Sequence, residues 1–194
     1  PEDAWRDATV AEFPELSGKR LLLLPARLSR YKGHAMFIEL IADLAAGFPD
    51  VHGVIVGPGR PGSRYRAELE GLAERCGILD RITFTGLRTD MREWMSASEI
   101  VYNLCSDPPE AFGRTVPEAL HLGIPVIAWD HGGVSETLSV MFPEGAVRPD
   151  SRAALTEKTR RFLLERPLVP KSDAFRLRKS MEETLRLYEC VLKE

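Results

Sequence analysis

The chain has 194 residues, 44% of them apolar and 28% charged, the balance of one soluble domain with a real core. Its formal net charge is −3, so nothing global attracts nucleic acid or an anionic membrane, and an anion site must be built from local groups. Cys76, Cys105 and Cys190 are far apart and form no CxxC, which argues against a zinc site or disulfide framework and fits a reducing compartment.

The longest apolar runs, such as 21–24, are far too short to cross a bilayer, and the acidic start PEDAWRDATV is not a secretory signal. Without a transmembrane segment, a cytoplasmic location is expected.

In chain order, short apolar runs alternate with helical patterns. Residues 20–26 read as a buried strand. A helix is expected over 33–48, where Met36, Phe37, Leu40, Ile41 and Leu44 recur at helical spacing. Strands follow at 51–57, 81–86, 99–104 and 125–130, with a brief one at 145–149. The intervening helices fall at 63–77, ended by Gly77, at 90–98 and at 115–123. Two helices close the chain, 151–165 and 173–192. A proline-marked connection at 165–173 leaves the terminal helix, 173–194, free to dock separately.

Strands that are apolar throughout and each followed by a helix imply a parallel sheet covered on both faces. The expected fold class is α/β, a Rossmann-like sheet of about six strands forming a single domain over 1–194. Ligands of such sheets bind beyond the strands' carboxyl ends. The unusual stretches fall there.

GPGRPG (Gly57, Gly59, Gly62) matches the dinucleotide-binding pattern, with Asp80 downstream as a ribose acid. It follows the second strand rather than the first, however, and Pro61 removes an amide donor. A glycine-rich turn lining a crevice is the plainer reading.

PARLSRYKG follows the first strand. Arg27 and Lys32 flank a turn that opens onto a helix, where amides, dipole and side chains share one sign, which suits phosphate. In EAFGRTVPE, Gly113 permits close approach of a ligand. The amides of Gly113, Arg114 and Thr115 would face an anion. Glu118 is placed either to accept bonds from a diol or to complete a Thr115-x-x-Glu118 capping box. Glu110 has no capping role and reads as a surface carboxylate or a ligand contact. In DHGGVSE, Gly132 and Gly133 bring another helix start to the same crevice, and Glu136 suits the helix dipole. His34 and His131 read as structural. Asp107 and Asp130 stand singly, so no metal pair is present.

These pieces in this order resemble the carboxyl-terminal half of the family 4 retaining glycosyltransferases. The carriers are R-x₄-K-G (Arg27, Lys32, Gly33), the turn at Gly57–Gly59, FTGLRTDMREWMSASEIV, E-x₇-E (Glu110, Glu118), HLGIPVIAWDHGG and Glu136. The resemblance implies the donor half of a GT-B fold, which binds a nucleotide-diphospho-sugar. It assigns Arg27 and Lys32 to the diphosphate and Glu118 to the ribose. Glu110, the catalytic candidate, Phe112, Gly113 and Arg114 lie along the sugar and phosphates, with Thr115 and Gly57 beside them. Leu87 and Arg88 meet the base through backbone. It implies retention of anomeric configuration with neither metal nor cofactor.

Family members run to about twice this length, because an amino-terminal domain binds the sugar or lipid-linked sugar acceptor. The chain is therefore expected to bind its donor without transferring sugar by itself, with peripheral contact to the inner membrane arising through the missing domain. A nucleotide-sugar-binding regulatory module and a GT-B-like sugar-nucleotide epimerase remain as alternatives.

Overall fold

A computed structural model describes residues 1–60 and 63–192. Six parallel strands form one sheet in the order β3-β2-β1-β4-β5-β6. They are β1 Arg20–Pro25, β2 Val51–Val56, β3 Ile82–Gly86, β4 Ser98–Asn103, β5 Val126–Trp129 and β6 Ala146–Val147. The helices are α1 Asp3–Glu12, α2 His34–Leu44, α3 Tyr65–Arg75, α4 Met91–Ser96, α5 Thr115–His121, α6 Gly132–Met141, α7 Arg152–Glu165 and α8 Leu177–Val191.

Every residue of β2 is buried, as are the four leucines of β1. Such runs leave no face for water, so the sheet must be covered on both sides. On α2, Phe37, Ile38, Leu40, Ile41 and Leu44 turn inward at helical spacing. Full burial of each such side chain contributes about 2–3 kcal/mol. α2 packs against α3 and α7, while α5 packs against α4 and α6. Strand order reverses between β1 and β4, and right-handed crossovers then place these two helix layers on opposite faces.

Boundaries follow local chemistry. Gly77, at φ 69°, ends α3 one residue after Cys76. Ser151 caps α7 by accepting from Ala154 N at 3.4 Å. α2 stops at Leu44, before Ala45, Ala46 and Gly47, and so is shorter than the apolar pattern suggests. At the amino ends of the strands Arg20 donates to both carboxylate oxygens of Glu99, at 2.8 and 2.6 Å, and to Leu163 O at 2.9 Å.

α1 was not expected. It buries only Thr9 fully, with Trp5 and Val10 half-buried. Tertiary contacts hold it: the Trp5 and Trp94 rings meet edge to face at 5.2 Å. The terminal helix is present as α8, and no described residue of it is buried. Leu177, Met181, Leu185, Tyr188 and Leu192 are all exposed.

Candidate functional site

The loops leaving β1 and β4 part at the reversal of strand order, where parallel sheets open a crevice. A cavity of about 180 Å³ lies there. It brings together Arg27, Lys32, Glu110, Gly113, Arg114 and Thr115, all candidates from the sequence.

The loop after β1 is held in several ways. Ala26 N donates to Val56 O at 2.9 Å and Leu28 N to Pro58 O at 3.0 Å, so the chain runs beside the exit of β2. A single 3-10 turn, Arg30–Lys32, then leads into Gly33. Gly33 has φ 78°, and a Cβ there would lie 2.3 Å from Leu104 O. Only glycine lets this turn press against the exit of β4. Beneath it the fully buried His34 ring sits between two loop carbonyls, Ser29 O at 3.2 Å and Ala26 O at 3.4 Å. Burial pushes the His34 pKa below its ordinary value, which keeps the ring neutral and structural. Ser106 N donates to Tyr31 O at 2.8 Å and ties the two loops together.

The loop after β4 lies on the start of α6. Gly133 N donates to Glu110 O at 3.0 Å, and a Cβ on Gly133 would lie 1.8 Å from Ala111 O. Gly113, at φ 68°, sits where a Cβ would lie 2.6 Å from Val134 Cγ2. With its backbone held this way, Glu110 turns its carboxylate inward and accepts a hydrogen bond from the Lys32 ammonium. The two side chains are only 17% and 27% exposed. Burial drags the Lys32 pKa down, but its bond to Glu110 and the nearby Cys105, Glu110 and Tyr31 outweigh it, leaving the pKa above its ordinary value. Lys32 therefore stays charged. Arg27 is exposed at the mouth, and its side chain has no hydrogen bond or ion pair among the described residues. Also among them, the amides of Gly113, Arg114 and Thr115 donate to no backbone carbonyl.

Among the lining residues that sequence reasoning did not single out are Asn103 and Cys105. Asn103 Oδ1 accepts from Cys105 N at 3.4 Å. Burial raises the Cys105 pKa, and its thiol lies 3.4 Å from Pro108 O. Their position directly at the carboxyl end of β4 was the available signal.

Other candidates lie off the cavity wall. Glu118 pairs with Arg114 at 3.2 Å. The capping box expected from Thr115 and Glu118 does not form: no side chain caps α5, which starts after Arg114 in helical conformation. Gly57 N donates to Gly86 O at 2.9 Å, and a Cβ on Gly57 would lie 2.1 Å from Ala26 O, so this glycine lets the exits of β1 and β2 run close. Leu87 is exposed. The Arg88 guanidinium turns to Glu12 and Asp90. Phe112 stands edge to face with Phe175 at 5.7 Å. Pro61 and Gly62 of the glycine-rich turn lie outside the described residues.

Around α6, His131 Nε2 lies 2.7 Å from Cys105 O, and Asp130 accepts from the Ser135 hydroxyl. Among the described residues, no group of three His, Cys, Asp or Glu could hold a metal ion, and no helix is long and apolar enough to cross a membrane.

The model of the family Glycosyl transferases group 1 matches residues 6–184. The chain belongs to this family. The lipopolysaccharide core biosynthesis mannosyltransferase LpsB of Rhizobium meliloti is 27% identical over 151 residues, which are 76% of this chain and 42% of LpsB. Among solved structures, Anabaena HepE in complex with UDP and glucose superposes with a TM-score of 0.74 at 25% identity, covering 84% of this chain and 43% of HepE. The carboxyl-terminal domain of the group 1 protein LpcC from Francisella tularensis gives a TM-score of 0.64 at 25% identity, with 75% of each chain covered. The chain thus spans less than half of LpsB and of HepE. Its sheet is that of a GT-B Rossmann-like domain, and the family match makes it a glycosyltransferase group 1 domain; the epimerase and regulatory readings are not favoured.

Proposed function

We propose that residues 1–194 are one donor-binding domain of a retaining glycosyltransferase, and that the cavity between β1 and β4 takes the diphosphate and sugar of a nucleotide-diphospho-sugar. The observation that carries this is the meeting of Lys32, Arg27 and Glu110 at the reversal of strand order. Two cations suit a diphosphate, and one carboxylate suits sugar hydroxyls. As the glycosidic bond breaks, charge builds on the leaving diphosphate, and fixed cations beside it lower the barrier. Arg27 and Lys32 fill this role without a metal, so the affinity for donor in excess EDTA is expected to match that in magnesium. HepE has been solved with UDP-glucose, which supports a uridine donor as the first to try.

In this reading Glu118 takes the ribose, Leu87 and the backbone of Arg88 meet the base, and Phe112 borders the sugar. The sugar or lipid-linked acceptor is held by an amino-terminal domain, in the cytoplasm or at the membrane face. Transfer needs that acceptor positioned against the anomeric carbon, so this chain by itself binds donor and transfers none.

A dinucleotide reading of the glycine-rich turn is disfavoured. Leu28 N is bonded to Pro58 O, Leu28 bridges Gly59, and α3 begins only at Tyr65. The fingerprint instead opens a helix at its third glycine.

Thermal melting of the chain with UDP-glucose, GDP-mannose, ADP-glucose and NAD tests the proposal. One nucleotide-sugar should raise the melting temperature, and its affinity should fall by roughly tenfold or more in Lys32→Ala, the loss of a charged hydrogen bond. Stabilisation by NAD alone would overturn it.

A further inference from the structure

The partner of Lys32 is the acid that lines the same cavity, Glu110. Glu110 and Lys32 are 78 residues apart in sequence, yet their side chains bond across the pocket with little exposure to water. A diphosphate that uses Lys32 must therefore compete with Glu110. The backbone that carries this carboxylate is held by the bond from Gly133 N to Glu110 O and by the close packing at Gly113, which keeps the side chain rooted at the cavity.

The two ligands that meet this carboxylate differ in charge. A spent nucleoside diphosphate ends in a free phosphate whose second ionisation lies near pH 6, so it brings close to one extra negative charge at neutral pH. In the sugar-loaded donor that oxygen is esterified. The extra charge is gone, and hydroxyl donors stand in its place. A carboxylate fixed beside Lys32 repels the first ligand and accepts hydrogen bonds from the second.

We infer that Glu110 discriminates the loaded donor from the spent nucleoside diphosphate, giving up Lys32 to the phosphate and taking sugar hydroxyls in exchange. This rests on the donor-binding reading above and adds a directional consequence. Loss of the sugar returns Glu110 to Lys32 and expels the product. Arg27, which has no competing acid among the described residues, serves both ligands alike.

Calorimetry on the 194-residue chain tests this with three probes: inorganic pyrophosphate, UDP and UDP-glucose, with GDP and GDP-mannose as a second pair. In Glu110→Gln, pyrophosphate and the nucleoside diphosphate should bind about tenfold more tightly than in wild type, the scale of one unscreened neighbouring charge. The matching nucleotide-sugar should bind about tenfold more weakly. In Lys32→Met all probes should weaken, and adding Glu110→Gln should restore less than it gains alone. Melting each variant without ligand checks that it folds, and Glu110→Asp should keep the direction of the preference. Equal weakening of pyrophosphate and nucleotide-sugar in Glu110→Gln would mean that Glu110 only positions Lys32; the inference then falls while the donor reading stands. A wild-type chain that binds no nucleotide-sugar and no pyrophosphate would overturn both.

Discussion

Trp5 and Asp90 join the first helix to the turn after β3: the indole N–H donates to Asp90 Oδ2 at 2.7 Å. Arg88 completes the cluster. It bonds both Glu12 carboxylate oxygens at 2.8 and 2.9 Å and Asp90 Oδ1 at 3.1 Å, and its guanidinium lies within 6 Å of the Phe13 and Trp94 rings, at 5.9 and 5.7 Å. Arg88→Ala should therefore cost about 1–3 kcal/mol of folding stability in urea unfolding, through lost charged bonds and packing. Nucleotide affinity should stay within about twofold of wild type, because only the backbone at this turn is assigned to the base. A large affinity loss with stability intact would return the side chain to the site.

Glu118 makes a single exposed pair with Arg114, four residues earlier. Such pairs contribute a few tenths of a kcal/mol, and no cap depends on it. Glu118→Gln should leave stability within about 0.5 kcal/mol of wild type. Affinity for the preferred ribonucleotide should drop by about 1.5–3 kcal/mol, the value of a charged hydrogen bond, with a smaller loss for its 2′-deoxy analogue. The same loss for both nucleotides would remove Glu118 from the ribose.

At Gly33 two costs coincide, a φ of 78° and a backbone oxygen 2.3 Å from the would-be Cβ. Gly33→Ala should destabilise by about 2–4 kcal/mol and should weaken pyrophosphate binding, since Lys32 is the preceding residue. Chemical unfolding and calorimetry on one preparation read both. Retained stability would show that the turn can move away from Leu104.

His52 supplies the pH dependence. Its buried ring bonds Thr83 Oγ1 at 2.9 Å, and that hydroxyl donates to Glu15 at 2.7 Å. Burial lowers its pKa from 6.5 to about 4, against a partial counter-effect of Glu15 and Asp80; Lys19 and Arg81 add to the lowering. The unfolded chain takes up this proton first as pH falls. Stability is whole above pH 6.5 and is lost between about 6.5 and 4, by up to about 3 kcal/mol. In His52→Gln that part of the loss should vanish. Urea unfolding at pH 7, 5.5 and 4 on both proteins measures it, and parallel curves would assign the titration elsewhere.

Much of the candidate site was legible because its residues cluster locally in the sequence. R-x₄-K-G and E-x₇-E put cations, acids and glycines directly after strands, and strands announce themselves by apolar runs. What could not be read was side-chain direction. Arg88 turns to α1, and Phe112 turns to Phe175, 63 positions later, so both depend on segments whose docking no local pattern reveals. Asn103 sits inside the expected strand 99–104 and Cys105 just past it, although the end of β4 is where the crevice opens. The capping signal at Thr115 was real in composition but lost in geometry, since the turn at Gly113 starts the helix one residue too early for it.

The pairing of β1 with β4 carries a kinetic consequence. Leu22 lies beside Ile100 and Leu23 beside Val101, contacts that must close a loop of nearly eighty residues before either strand gains its neighbour, and such distant pairings form late. Lys32 and Glu110 lie on the loops that leave those two strands. A chain that has paired only β1, β2 and β3 has not yet brought Lys32 and Glu110 together. During refolding, therefore, secondary structure and compactness should recover ahead of ligand binding. The delay between them clocks the moment at which the two halves of the sheet meet.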